Sequence, residues 1–252
     1  MKNILCAILV SSTFLVAGNL IDTKFDSNEF SKVAIENDSG NITVQFNNTD
    51  SENKTSISAE GNTKTENIPV QIVDGVLKIA FKKSSHKKSS QGLLSFIRSI
   101  FSRDSNESVN WKVSLSKEKE LDISIGSGNL SIEGVTSSIG FDIGQGNASI
   151  SGSKTISGNI GNGIASVQES TGNIELSIGS GNAEFSWDKE VTRQATITCS
   201  IGLGNMTITT PDNTGVTVEK FSGSTITYEK QRTKGSDISI QGSIGWGNLI
   251  IK

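Results

Sequence analysis

Gly126-Ser127-Gly128-Asn129-Leu130-Ser131-Ile132 is the stretch that decides the fold. Its phrase Gly-x-Gly-Asn returns at Gly144-Gln145-Gly146-Asn147, Gly179-Ser180-Gly181-Asn182, Gly202-Leu203-Gly204-Asn205 and Gly245-Trp246-Gly247-Asn248. A weaker copy, Gly161-Asn162-Gly163-Ile164, keeps the glycines and loses the Asn, and Ser39-Gly40-Asn41 carries the same marker near the start. The marker positions 129, 147, 164, 182 and 205 stand 18, 17, 18 and 23 residues apart, and 43 residues then separate 205 from 248. That last interval holds a degenerate copy, Ser222-Gly223-Ser224-Thr225, with Thr225 in the Asn place.

Apolar residues keep fixed offsets from each marker. One and three after it come Leu130/Ile132, Ala148/Ile150, Ala165/Val167, Ala183/Phe185, Met206/Ile208, Ile226/Tyr228 and Leu249/Ile251. Six and four before it come Ile123/Ile125, Phe141/Ile143, Gly158/Ile160, Leu176/Ile178, Cys199/Ile201 and Gly242/Ile244. Alternation of this kind belongs to strands with one buried face, and a strand-length unit at a near-constant period belongs to a repeat architecture. The expected fold is therefore all-β: a parallel β-solenoid, or single-stranded β-helix, with one coil per period. Its N-terminal strands are expected to be less regular, with a hairpin turn at Asp74-Gly75.

In this reading Gly128, Gly146, Gly181, Gly204 and Gly247 turn the chain where φ is positive or a neighbouring backbone comes close. Asn129, Asn147, Asn182, Asn205 and Asn248 form a ladder, bonding amide to amide between rungs. These ten residues are the structural turn ladder of the candidate site. The pattern is not a nucleotide-binding loop, because strands rather than helices follow the glycines and no Gly-Lys-Ser/Thr occurs. Asn where a calcium repeat carries an acid argues against metal at the turns.

Composition bounds the rest. The chain has 252 residues, 26 of them Gly and only 2 Pro, and its net charge is −3. No global field attracts nucleic acid. Residues 1–18 read as a signal peptide: Lys2, an apolar run from Ile4, and Val16-Ala17-Gly18 as the cleavage region. Residues 19–252 are read as one domain, exported to the periplasm, the outer surface or the medium, with Cys199 its sole cysteine after cleavage. One insertion, 82–108, interrupts the strands. It is basic and carries Leu93, Phe96, Ile97, Arg98, Ile100, Phe101 and Arg103, whose apolar members fall at helical spacing. An amphipathic helix over 92–103 is expected, either capping the fold or lying on a membrane surface.

The lone histidine, His86, and the single mature cysteine assemble neither a zinc site nor a catalytic triad. Outward positions are dominated by hydroxyl and amide residues: Ser131, Ser149, Ser166, Glu184, Thr207 and Thr227 after the markers, and Ser124, Asp142, Asn159, Ser177, Ser200 and Ser243 before them. No enzyme activity and no cofactor are expected.

The recurring Gly-Ser-Gly-Asn-x-x-Ile phrase, with Trp111-Lys112-Val113-Ser114-Leu115 leading into the regular repeats, resembles a bacterial family of exported β-strand-repeat domains of unknown function, labelled adhesin-like. The resemblance spans most of the mature chain. It implies a non-catalytic surface or cell-envelope scaffold whose partners are an envelope polymer, a surface protein or a membrane surface. This chain departs from the family in carrying Asn where Asp is common, and in the cationic insertion. A polysaccharide-binding or carbohydrate-active β-helix is the alternative from another class.

Overall fold

The computed structural model describes residues 19–46, 53–62, 68–82, 107–116, 118–134, 138–189, 191, 194–229 and 237–252. Among them lie nineteen strands joined in one sheet, and no helix. The first seven are β1 (Asn19–Asp26), β2 (Lys32–Ser39), β3 (Ile42–Phe46), β4 (Lys54–Gly61), β5 (Val70–Val73), β6 (Val76–Phe81) and β7 (Val109–Leu115). The repeats supply β8 (Glu120–Ser127), β9 (Leu130–Glu133), β10 (Ile139–Gln145), β11 (Ala148–Ser151), β12 (Ile156–Gln168) and β13 (Ile174–Ser186). The last six are β14 (Ala195–Leu203), β15 (Met206–Thr209), β16 (Val216–Ser222), β17 (Thr225–Tyr228), β18 (Ile238–Trp246) and β19 (Asn248–Ile251).

Two parallel ladders result, one on each side of the Gly-x-Gly markers. Before the markers the order is β6-β2-β8-β10-β12-β13-β14-β18-β16. After them it is β7-β3-β9-β11-β12-β13-β15-β19-β17. Strands β12 and β13 run through the marker and belong to both. Burial alternates along each arm, and the alternation slips at the glycines: Ile178 and Ala183 are both buried although five positions apart. The slip means that the chain bends there, so that both arms turn their apolar side to one core.

The expected parallel β-solenoid, wound coil by coil in sequence order, is not what forms. The sheet is of mixed orientation, because β1 pairs antiparallel with β4, β4 with β7, and β5 with β6. The stacking order also departs from chain order at both ends. Strands β6 and β7 lie outside β2 and β3, and β18 and β19 slot between β14/β15 and β16/β17. The physical reason is burial. Ile238, Ile240, Ile244, Leu249 and Ile251 are all buried in their inner position, whereas β16 and β17 are half-buried or exposed along their length and tolerate an edge. Each fully buried Ile or Leu contributes about 1.5–3 kcal/mol, so the Ile-rich arms belong inside. A fixed repeat specifies the offset between neighbouring rungs, not which rung becomes the neighbour. The expected helix at 92–103 lies outside the described residues, as does the expected signal peptide at 1–18, and no helical insertion is part of the fold described.

Within the core the rows compensate in size. Phe141 pairs with Gly158, and a Cβ on Gly158 would sit 2.1 Å from the Phe141 ring. The first turn is fastened from the far side. Lys119, only 8% exposed, donates to the carbonyls of Ser27 and Phe30, and its ammonium stands 4.9 Å from the Phe30 ring centre. Ser27 Oγ adds bonds to Thr55 at 2.8 Å and Ser116 at 2.7 Å. A buried ammonium satisfied by carbonyls and a ring face is a polar pin, not a loose charge.

The hairpin turn at Asp74-Gly75 joins β5 and β6, with φ of 53° and 72°. Gly75 has open space around it, whereas Gly146 has φ 142° and a Cβ there would lie 1.7 Å from the Gly128 carbonyl oxygen. Gly75→Ala is expected to lower unfolding stability by about 1 kcal/mol, the cost of positive φ alone. Gly146→Ala is expected to cost more than about 4 kcal/mol or to prevent folding. Urea denaturation of the two variants checks the difference.

Candidate functional site: the corner ladder and the outward rows

The Asn residues at the markers act between rungs rather than within one turn. Asn110 Oδ1 accepts from the Asn41 backbone N–H at 2.8 Å, and Asn41 Oδ1 accepts from that of Asn129 at 2.9 Å. Asn129 Oδ1 accepts from Asn147 N–H at 3.0 Å and Asn147 Oδ1 from Ile164 N–H at 2.9 Å. Beyond Ile164, which has no side-chain carbonyl to offer, the series resumes from Asn182 to Asn205 at 2.9 Å and from Asn205 to Asn248 at 3.0 Å. Side-chain Nδ2 groups of Asn129 and Asn147 add bonds of 3.1 Å to the preceding Oδ1. Thr225 pairs with Asn248 and so holds the Asn place, but on the outermost rung.

The glycines explain why this ladder is so close. A Cβ on Gly128, Gly163, Gly181, Gly204 or Gly247 would meet the backbone of the preceding marker glycine at 1.6 to 2.0 Å. The structure places all ten ladder residues along one edge. Asn110 belongs to it as well, and the spacing does not announce it. Asn37 stands where the other rungs place Ile125, Ile143, Ile160, Ile178, Ile201 and Ile244, and it is buried. Its Nδ2 donates to Gly40 O at 3.1 Å and Val109 O at 3.0 Å, fastening β7 at the end of the insertion. The signal is a polar residue at an offset otherwise filled by Ile.

Outward side chains form straight rows because the register is kept. Glu36, Ser124, Asp142, Asn159, Ser177, Ser200, Ser243 and Ser222 lie side by side on one arm. Thr43, Ser131, Ser149, Ser166, Glu184, Thr207, Ile250 and Thr227 do so on the other. Neighbouring rungs are about 4.8 Å apart. An open groove of about 400 Å³ crosses the first row, with Glu36, Asp38, Asp142 and Asn159 among its lining residues. Asn159 Nδ2 donates to Asp142 at 2.7 Å, and Lys82 stands 3.2 Å from Glu36. Exposed pairs of this kind add little to stability. Among the described residues no group of three or more His, Cys, Asp or Glu is placed to hold a metal ion, and no helix is long and apolar enough to cross a membrane.

Cys199 is fully buried and unpaired, and burial pushes its thiol from 9.0 up to about 12. A thiol held neutral in this way is no nucleophile. Leu93, Phe96, Ile97, Arg98, Ile100, Phe101 and Arg103 lie outside the described residues, as does His86. The second residue of each marker points away from the core, which the periodicity does not reveal. In the last two full copies it is Leu203 and Trp246, which pair in register and are 55% and 79% exposed.

Solved bacterial structures similar to this chain include two named "putative adhesin" and one named "putative lipid binding protein". They are from Parabacteroides distasonis (12% identity, TM-score 0.43), Bacteroides fragilis (17%, 0.41) and again P. distasonis (16%, 0.40). Each covers 92% of this chain, and this chain covers 96% of each. No protein-family model and no curated protein matches. The resemblance drawn from the motif thus meets neighbours of the same name but no family model.

Asn147→Ala is expected to cost about 1–2 kcal/mol, because the Ile164 N–H and the Asn129 Oδ1 each lose a partner. Asn147→Asp is expected to cost less, since it keeps the acceptor for Ile164; thermal unfolding ranks the two. For Cys199 the folded value lies above the unfolded one, so stability is retained below about pH 9 and falls as pH rises towards about 12. Cys199→Ala is expected to remove that alkaline slope, and a thiol reagent to label the native chain only after denaturation.

Proposed function

We propose that the chain is a non-catalytic, adhesin-like protein that bacteria export to make contacts at the cell envelope or surface. The observation that carries this reading is the pair of outward rows. Register and close glycine stacking hold hydroxyl, amide and a few acidic side chains, with Ile250 the one apolar member, in fixed lines across the rungs. Fixed spacing lets many weak polar contacts act together with little further ordering cost for each side chain. Such a surface suits an extended or repetitive partner better than a small substrate. The apolar run at residues 4–18 supports export.

Binding of the labelled, purified chain to intact bacterial cells, isolated envelope polymers and host epithelial cells tests the reading. Saturable binding to at least one of them is expected. Absence of binding to all of them, or release of a soluble product from an envelope polymer by the chain, contradicts it.

A further inference from the structure

We propose that Trp246 and Leu203 form a platform for the C–H face of a neutral glycan. The proposal rests on the adhesin-like reading and names the partner of that surface. An indole that is 79% exposed is uncommon, and here it adjoins a Leu that is 55% exposed on the next rung. Both occupy the second place of Gly-x-Gly-Asn, where other rungs carry Ser127, Gln145, Asn162 and Ser180. The glycines on either side fix the backbone that presents them. Trp246 stands on an internal rung and not on a loose end of the chain, since β18 and β19 lie between two other rungs.

The surroundings select the partner's chemistry. The corner segments 177–184, 200–207, 243–250 and 222–227 lie on four adjoining rungs and carry a single charge, Glu184. The other polar groups there are hydroxyls and amides, including Ser200, Ser243, Ser222, Asn182, Asn205 and Asn248. Asn182 and Asn205 commit Oδ1 to the next rung's backbone, and among the described residues their Nδ2 groups bond no partner. An aromatic face beside free amide donors and hydroxyls matches a pyranose ring, which has an apolar C–H face and a rim of hydroxyl groups. An anionic lipid would find no cationic group in these segments, and a cationic peptide would find only the Glu184 carboxylate.

Trp246 is the one exposed tryptophan of three, since Trp111 and Trp187 are 2% and 4% exposed, so iodide quenching of emission reports on it. The test is an array of neutral and acidic glycans probed with the full chain, followed by fluorescence titration of the neutral hits. Binding to at least one neutral glycan is expected, with Trp246 shielded from iodide. Trp246→Ala is expected to weaken it at least about tenfold, with Trp246→Phe intermediate and thermal unfolding unchanged in both. The proposal is overturned if no neutral glycan binds, or if Trp246→Ala binds as the parent does. It is equally overturned if the substitution instead abolishes binding to phosphatidylcholine vesicles or self-association. Cell binding that persists in Trp246→Ala while glycan binding is absent sinks this proposal alone; loss of cell binding by the parent chain sinks the adhesin-like reading as well.

Discussion

The structure depends on how closely successive backbones approach at the markers. Each second glycine of Gly-x-Gly lies where a side chain of one carbon would strike the carbonyl of the preceding rung. That contact lets the two arms of every rung bend at the same place, so both inward rows face one core and both outward rows stay aligned. The Asn that follows then bonds across the same gap, its carbonyl taking the next rung's N–H. Packing, register and surface all descend from this one edge.

The ends of the sheet show what the repeat alone does not control. Inner rungs are interchangeable as far as offset is concerned, so apolar content decides which of them is buried on both sides. The Ile-rich β18 and β19 take the inner place, and the more exposed β16 and β17 take the edge. At the other end, the antiparallel β1, β4 and β5 close the parallel series, and Lys119 and Ser27 tie the first turn to the strands beside it. An edge strand with exposed polar residues is a poor template for further pairing.

Much of this is legible from residues. The inward rows, the bend at the markers, the hairpin at Asp74-Gly75 and the place of Thr225 all follow from offsets counted along the chain. Stacking order is not, because it is settled by burial of whole strands over long separations in sequence. The antiparallel pairing of β4 with β1 and β7 stays hidden because alternation carries no information on direction. Asn37 breaks its row visibly, yet its partners Gly40 and Val109 come together only in three dimensions. The exposure of Leu203 and Trp246 is not legible either, because the alternation slips between the glycines and offsets counted on either arm leave the residue there on neither row.

Hydrogen exchange at the marker glycines tests the central claim most directly. The N–H groups of Gly128, Gly146 and Gly204 donate to Gln145, Asn162 and Trp246 at 2.8 to 2.9 Å, although they sit on an edge open to water. If the close stacking there holds the rungs together, these amides exchange only when the whole sheet unfolds, at the rate of the buried Ile178 and Ile201. Exchange as fast as that of an exposed loop, with the core amides still protected, contradicts the account.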